Sequence, residues 1–215
     1  MAIDLYFVGK CKDFVSLSKI KEVSFGWGLD QHGNLRRPKE WIRNVPIVID
    51  DSIPDKVTDK FLQMLLPYCE KGCILDFERK LSQYHLSVIR FLNQNEITPI
   101  WIPANYSRYA VNPDIIVVSD LPHNSWKSYC AAQKSLYGTR WVLEYHPVNI
   151  HFESVSRSKT YHPIFLDNAL CMAYDNKNSL HYYDTSYTIT TKLKIAEEYG
   201  CQGVLAIGSE WEKIK

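Results

Sequence analysis

Residues 71–78 read KGCILDFE, a short apolar segment that ends in two carboxylates, Asp76 and Glu78. Side chains alternate between the two faces of a strand, so residues at i and i+2 point the same way. The segment is therefore predicted to be a buried strand with both acids facing one place. Two crowded carboxylates in a partly apolar site push their pKa values apart, so that one stays protonated near neutral pH and serves as a general acid. The alternative is structural: the acids cap the next helix or pair with flanking lysine and arginine residues.

Similar apolar segments recur along the chain, and most of them precede a polar or helical stretch. They are Leu5–Val8, Val23–Trp27, Pro46–Ile49, Thr98–Ile102, Asp114–Val118, Arg140–Glu144 and Gly203–Ile207. Apolar strands that alternate with helices are typical of a parallel sheet covered on its faces. Together with the segment at 71–78 they predict an α/β fold, a compact (β/α)8 TIM-like barrel, with residues 1–215 as a single domain. An open doubly wound sheet is the alternative.

One region interrupts this alternation. Residues 169–175 and 179–184 flank the turn-rich stretch Asn176-Lys177-Asn178. The pattern predicts an antiparallel β-hairpin, residues 169–184, inserted between the seventh strand and the last helix.

Composition and charge exclude several classes of function. The chain has 25 Lys and Arg residues against 24 Asp and Glu residues, and it has no basic patch. A nucleic-acid or membrane-surface partner is therefore not expected, and no apolar run reaches the roughly 18 residues that span a bilayer. The N-terminal residues do not resemble a signal peptide, so a cytoplasmic protein is expected, although a secreted chain with its signal removed would look the same. The sequence does not indicate an oligomeric state.

The cysteine and histidine residues do not predict a metal site. The six cysteines lie at positions 11, 69, 73, 130, 171 and 201, without zinc-ligand spacing, and the seven histidines form no HExxH cluster. Buried free thiols are expected, and no metal or other cofactor is predicted.

The order of these elements resembles the chitinase-like glycoside hydrolases of family 18, which include spore-germination and endo-N-acetylglucosaminidase relatives. The fourth barrel strand of that family carries the motif Asp-Gly-x-Asp-x-Asp-x-Glu, and a hairpin-bearing insertion follows its seventh strand. The matching residues are Gly72, Asp76, Phe77 and Glu78 in the motif, the run Tyr183–Lys192 that enters the final helix, and Gly203-Val204 at the start of the last strand.

The resemblance implies a retaining glycosidase that acts on β-linked N-acetylglucosamine-containing glycans with assistance from the substrate. Glu78 would protonate the leaving oxygen, while the 2-acetamido group of the sugar attacks the anomeric carbon. Asp76 would orient that amide and stabilise its positive charge. Asp120 and Ser119, at the end of the sixth strand, would bind the sugar.

Four positions depart from the family pattern. Lys71 and Ile74 stand where the motif has its first two aspartates, Ser119 replaces a tyrosine, and Ile207 replaces a tryptophan. The resemblance therefore retains the acid but loses part of its usual surroundings.

Further substrate-binding residues are predicted at or just after strand ends, where the active-site loops of a barrel begin. Aromatic rings stack well on the apolar faces of sugars, and Glu144 adds a polar group beside His146. The candidates are Trp27, Trp101, Tyr106, Glu144 and Tyr145. The alternative for each aromatic residue is a place in the core.

Two other functions stay open at this point. The first is a non-catalytic carbohydrate-binding or scaffold protein on the same barrel. The second is a metal-dependent barrel enzyme in which Asp76, Glu78 and Asp120 bind Mg²⁺, an ion that prefers carboxylate oxygens.

Overall fold

The computed structural model describes residues 3–8, 20–51, 57–119, 122–153, 163–176 and 179–207. The strands in these ranges are β1 (Asp4–Val8), β2 (Ile20–Glu22), β3 (Ser24–Leu29), β4 (Leu35–Arg36), β5 (Ile47–Asp50), β6 (Cys73–Asp76), β7 (Ile100–Pro103), β8 (Asp114–Ser119), β9 (Trp141–Tyr145), β10 (Asn149–Glu153), β11 (Ile164–Leu166), β12 (Cys171–Asn176), β13 (Ser179–Tyr183) and β14 (Cys201–Ile207). The helices are α1 (Asp59–Leu65), α2 (Gln83–Gln94), α3 (Trp126–Tyr137) and α4 (Ser186–Glu198), with short 3₁₀ turns at Leu66–Tyr68 and Ala104–Tyr109.

The chain divides into two compact units, of which one comprises residues 21–116. In this unit β3, β5, β6, β7 and the first half of β8 (residues 114–116) are parallel neighbours in that order, and β4 pairs with β3 in the antiparallel direction. The central strands β5 and β6 are apolar and buried until their last residue, an aspartate in both cases. The unit therefore places carboxylates where its buried parallel strands end.

The helices of this unit follow their strands as the apolar spacing predicts. Thr58 caps α1, because its Oγ1 accepts a hydrogen bond from the backbone N–H of Phe61 at 3.2 Å. Helix α2 buries one face, and the residues on that face recur at helical spacing. They are Tyr84, His85, Val88, Ile89, Phe91 and Leu92.

The turn before β6 requires a glycine at position 72. Gly72 has a φ of 98°, and a Cβ there would lie 2.6 Å from both the Cδ and the carbonyl oxygen of Pro99. A side chain would also push apart two strands, because the N–H of Cys73 donates to that same carbonyl at 2.9 Å. The glycine of the motif thus serves the pairing of β6 with β7.

We expect Gly72→Ala to lower the free energy of unfolding by about 2–4 kcal/mol, because left-handed strain and the overlap with Pro99 add together. Gly33→Ala is the matched control: Gly33 also has a positive φ, 79°, but nothing lies within 4 Å of the added Cβ. Urea unfolding of both variants measures the difference. If both substitutions lower the free energy of unfolding equally, the overlap of the added Cβ with Pro99 does not contribute to the loss.

The second unit comprises residues 1–20 and 117–215. Its parallel strands β1 and β9 both pair with β14, which lies between them. A buried cluster that includes Leu5, Leu143 and Val204 from these strands packs with Ile189 and Leu193 of α4. The last helix and the last strand therefore pack against each other, as their positions in the sequence suggest.

The second unit also carries an antiparallel sheet with the strand order β10-β13-β12-β11. Strands β12 and β13 pair directly, with Met172 opposite Tyr183 and Asn176 opposite Ser179. The sequence predicts only this pair, whereas the structure adds β10 and β11 at the two edges. β11 has three residues, too few to show a period, whereas the five residues of β10, NIHFE, do alternate and were not recognised.

The α/β class predicted from the sequence is confirmed, and each of the eight predicted parallel strands overlaps a strand of the structure. One boundary is wrong: β6 ends at Asp76, so Glu78 lies two residues beyond the strand instead of on it. In the ranges that the structure describes, no helix is long and apolar enough to cross a membrane. The single-domain organisation stays a prediction.

Candidate active site

The aspartates at the ends of β5 and β6 are direct neighbours. In the parallel pairing of these strands, Asp50 is the register partner of Asp76. Adjacent strands lie about 4.8 Å apart, and paired residues point to the same face of a sheet. Both side chains are partly buried. The carboxylate that the family motif places at the strand end thus has a second carboxylate beside it on the neighbouring strand.

Glu78 has an exposed side chain on a backbone that is held in place by Asp51. Oδ2 of Asp51 accepts hydrogen bonds from the N–H groups of Glu78 and Arg79, both at 2.8 Å. Asp51 directly follows β5, and it fixes the loop that follows the neighbouring strand β6. A carboxylic acid that reaches solvent from a fixed backbone has the access that a general acid requires.

Asp51 is in turn paired with His85 of α2. Nε2 of His85 lies 2.5 Å from Oδ1 of Asp51, and Nδ1 accepts the N–H of Ser82 at 2.9 Å. Burial raises the pKa of Asp51, but the hydrogen bonds from His85 and from the N–H groups of residues 79 and 78 outweigh it and leave that pKa below its usual value. Asp51 is therefore held as a carboxylate.

Buried aromatic rings support the same loop from within the unit. Phe77 packs against His85 at 4.6 Å and against Tyr106 at 5.5 Å between ring centroids. The hydroxyl of Tyr106 donates to the carbonyl oxygen of Arg79. Only 1% of Tyr106 is exposed. This burial favours the core alternative for Tyr106, and its role in substrate binding stays a prediction.

Trp27 and Trp101 are also covered. Trp27 is fully buried: its Nε1 donates to Oγ of Ser24 at 3.0 Å, and its ring lies 4.5 Å from that of Tyr68 and 5.9 Å from that of Trp41. Trp101 is buried on β7, where it is the register partner of Ile74. Neither indole presents an open face for sugar stacking, so the burial of both rings favours a place in the core.

Asp50 combines an ion pair with an unsatisfied oxygen. Its Oδ2 lies 2.6 Å from Nη2 of Arg36, while its Oδ1 is buried without a hydrogen-bond partner. Burial raises the pKa of Asp50, and the attraction of the Arg36 guanidinium, which lowers it, offsets only part of that effect. The ionised form of Asp50 therefore carries a cost in the folded protein.

We expect Asp50→Asn to raise the free energy of unfolding at pH 7 and to leave it unchanged below the ordinary carboxyl pKa of 3.8. A carboxyl whose pKa is raised by folding loses stability as the pH rises from its unfolded to its folded pKa, and an amide does not. Urea unfolding of wild type and variant at pH 3 and pH 7 checks the sign. A variant that is less stable than wild type at pH 7 would show that the Arg36 pair outweighs burial.

In the second unit, Ser119 and Glu144 each contact a histidine. Oγ of Ser119 lies 3.0 Å from Nε2 of His123, and its carbonyl accepts the N–H of His146 at 3.0 Å. Nε2 of His146 lies 3.1 Å from Oε1 of Glu144. The two predicted ligands are thus joined through His146, whose backbone N–H contacts Ser119 and whose imidazole contacts Glu144. Asp120 lies outside the described residues, so its predicted role stays untested.

Tyr145 belongs to a buried polar cluster at the start of α4. Its hydroxyl donates to Oδ2 of Asp184 at 2.5 Å, and Nζ of Lys192 lies 2.8 Å from Oδ1 of Asp184 and 3.1 Å from the Tyr145 hydroxyl. Burial and the charge of Asp184 raise the pKa of Tyr145 well above its ordinary value. Tyr145 therefore acts here as a neutral donor to Asp184, and its predicted role in sugar binding stays a prediction.

The described residues contain no group of three or more His, Cys, Asp or Glu side chains placed to hold a metal ion. Five of the six cysteines fall in these ranges, and all five are buried free thiols. The predicted Mg²⁺ triad cannot be assembled without Asp120, which is not among them.

Solved structures of low sequence identity share this architecture. The spore cortex-lytic enzyme SleL of Bacillus cereus is 11% identical, over 99% of this chain and 74% of that one, with a TM-score of 0.60. A glycoside hydrolase family 18 chitinase from Cycas revoluta, solved in complex with (GlcNAc)3, is 10% identical over 86% of each chain, with a TM-score of 0.57. The chitinase-like agglutinin of Robinia pseudoacacia is 11% identical over 86% of this chain and 87% of that one, with a TM-score of 0.55.

This chain has a chitinase-like fold. No protein-family model and no curated protein sequence matches it. The likeness to the family 18 chitinases is thus one of three-dimensional structure, and it agrees with the motif resemblance at residues 72–78.

Within this chitinase-like fold, the sequence did not predict the contact between Asp51 and His85 or the hydrogen bonds that Asp51 accepts from the loop after β6. Asp51 ends an apolar run, so it reads as a cap for the helix that follows. His85 falls on the apolar stripe of α2, so it reads as a core residue. The available signal was a histidine on a buried helix face, because a buried imidazole needs a polar partner for its ring nitrogens.

Proposed function

We propose that this chain is a divergent family 18 glycoside hydrolase that acts on β-linked N-acetylglucosamine-containing glycans. The proposal includes a closed (β/α)8 barrel with the 169–184 hairpin as its insertion. The observation that carries it is the arrangement at residues 76–78: Asp76 ends a buried strand, and Glu78 presents an exposed carboxyl from a backbone that Asp51 holds. Active sites of such barrels lie where the strands end.

The mechanism requires two tasks of these acids. Glu78 would donate its proton to the glycosidic oxygen, and the carbonyl oxygen of the 2-acetamido group would attack the anomeric carbon to form an oxazolinium ion. Asp76 would hold the N–H of that amide and balance its positive charge. Water would then open the ring, and Glu78 would recover its proton from that water.

The proposed substrate follows from the chitinase neighbours. Structures of the Cycas revoluta enzyme were solved with (GlcNAc)3 and (GlcNAc)4. Because Ile74 replaces the middle aspartate of the motif and lies buried between Val48 and Trp101 in register, we expect slow turnover. The substrate-assisted mechanism proposed here requires no metal.

The test is hydrolysis of chitin oligomers, peptidoglycan and N-glycan cores by the purified chain, followed by mass spectrometry of the products. Release of N-acetylglucosamine-terminated products that persists in EDTA supports the proposal. Activity that EDTA abolishes would support the metal-dependent alternative instead.

A non-catalytic carbohydrate-binding protein is the second candidate. One observation favours it: the chitinase-like agglutinin shares the fold, with coverage as complete as that of the Cycas revoluta enzyme. Calorimetric titration would then show saturable binding of chitin oligomers. An assay sensitive to about one turnover per hour would detect no products, and this combination would support a binding protein.

A further inference from the structure

Three backbone groups of the loop after β6 are held by side chains from elsewhere in the unit. Asp51 accepts the N–H groups of Glu78 and Arg79, each at 2.8 Å, and the Tyr106 hydroxyl donates to the carbonyl oxygen of Arg79. Asp51 comes from the end of β5, and Tyr106 comes from the turn after β7. The loop is thus fixed from both neighbouring strands, although its own strand has ended at Asp76.

The role of His85 in this arrangement follows from its hydrogen bonds. Nδ1 accepts the backbone N–H of Ser82, so the neutral ring carries its proton on Nε2 and donates it to Oδ1 of Asp51. The imidazole therefore links the first turn of α2 to Asp51. The Nε2–H donor of His85 orients the Asp51 carboxylate by binding Oδ1. The other oxygen, Oδ2, is then free to accept the N–H groups of Glu78 and Arg79.

Packing restricts the imidazole to this orientation. Only 3% of the His85 side chain is exposed. Its ring lies 4.6 Å from Phe77, 5.1 Å from Tyr106 and 5.5 Å from Tyr84. Phe77 directly precedes Glu78, so the aromatic cluster that holds the imidazole in place also holds the residue before the proposed acid.

We propose that Asp51 and His85, here called the Asp51–His85 clamp, are positioning residues that set the direction of the Glu78 carboxyl by fixing its backbone. This inference rests on the proposed function. Glu78 lies beyond β6 and its side chain is exposed, so neither the sheet nor side-chain packing fixes that direction. A displacement of about 1 Å from productive geometry costs on the order of 10²-fold in rate. Without the clamp, substrate would bind as before while proton transfer slows.

The kinetic test compares three variants with wild type on a chitin oligomer. Asp51→Asn keeps one acceptor oxygen, so its NH2 group faces either the Nε2–H of His85 or the N–H groups of Glu78 and Arg79. His85→Leu removes the donor at similar size. His85→Gln is the conservative variant, because its amide oxygen and nitrogen reproduce the acceptor toward Ser82 and the donor toward Asp51. We expect kcat to fall about 10–100-fold in the first two with KM within about threefold, and we expect His85→Gln to recover most of the rate.

A second measurement follows the amide hydrogen exchange of Glu78 and Arg79, which needs no turnover. We expect their protection to be lost in His85→Leu and kept in His85→Gln, while Ile74 and Leu75 in β6 stay protected in all variants. The β6 amides thereby separate loss of the clamp from loss of the fold.

The outcomes separate the two proposals. If wild type hydrolyses no glycan, the proposed function fails, and loss of protection at residues 78 and 79 in His85→Leu still supports the clamp. If wild type is active, an unchanged kcat in His85→Leu overturns the clamp. A raised KM at constant kcat in His85→Leu would also overturn the clamp, as would unchanged amide protection at Glu78 and Arg79 in that variant.

Discussion

Glu78→Gln is expected to lower kcat by about 10²–10⁴-fold, the usual contribution of a positioned general acid. Glutamine keeps the shape of the side chain but has no proton to give to the glycosidic oxygen. Because the Glu78 side chain is exposed and the contacts from Asp51 reach only its backbone, we expect the fold and the affinity for chitin oligomers to be retained. Initial rates with a labelled chitin oligomer and calorimetric titration of the same oligomer measure the two effects.

Glu70→Gln is the matched control. Glu70 is also an exposed glutamate near β6, but it lies before the strand, at the end opposite the proposed site. We expect its kcat to equal that of wild type. If Glu78→Gln and Glu70→Gln are equally active, Glu78 is not the acid, and the substrate-assisted mechanism proposed above fails with it.

Lys192→Met is expected to lower the free energy of unfolding by about 3–5 kcal/mol, because it removes one partner from a buried ion pair. Lys192 is 1% exposed, and its Nζ contacts both carboxylate oxygens of Asp184 at 2.8 and 3.1 Å. The ammonium also lies 5.4 Å from the Trp126 ring centroid and 5.5 Å from that of Tyr145. Methionine fills similar space but leaves the Asp184 charge without its counter-charge. Urea unfolding at pH 7 measures the loss.

Two further variants test this reason. Lys194→Met changes an exposed lysine on the same helix, so we expect an effect within about 0.5 kcal/mol. The double variant Asp184→Asn with Lys192→Met removes both charges, so it should be more stable than Lys192→Met alone. A double variant less stable than the single one would show that the hydrogen bonds of Asp184 to Tyr145, Val148 and Thr188 outweigh its charge.

The cluster around Asp184 gives a structural reason for the run Tyr183–Lys192, which is part of the resemblance to family 18. Oδ2 of Asp184 accepts the N–H of Val148 at 2.8 Å, and Oδ1 accepts the hydroxyl of Thr188 at 2.9 Å. These contacts tie the residues after β9 to the start of α4. The run Tyr183–Lys192 therefore has a structural role in this chain, whatever its relation to the substrate.

Sequence patterns predicted the strands well and the side-chain roles less well. Apolar runs such as Ile47–Ile49 and Cys73–Leu75 are local, so the parallel strands and the α/β class could be read directly from them. The extent of β6 was less predictable. Asp76 and Glu78 alternate as strand residues do, but β6 pairs with β7 at Cys73 and Ile74, and its pairing with β5 ends at Asp76. Strand ends depend on what the neighbouring strand offers.

The predicted sugar-binding aromatics illustrate the same limit. Trp27 and Tyr106 lie near strand ends, as the sequence indicates, but both are buried by rings that come from distant parts of the chain. A position near a strand end does not say which rings will cover a side chain. The burial of an aromatic residue is decided by its neighbours in space, which a single sequence does not list.

The sequence by itself determined where the buried parallel strands lie and that Asp76 and Glu78 stand at the end of the fourth of them, because apolar runs and alternation are properties of neighbouring residues. Only the tertiary structure decided that Asp50 stands beside Asp76, that Asp51 and His85 hold the backbone of Glu78, and that Asp184 is buried with Lys192. Each of these contacts joins residues from different elements. Hydrogen bonds of this kind depend on strand register and helix packing, which form only when the whole chain has folded.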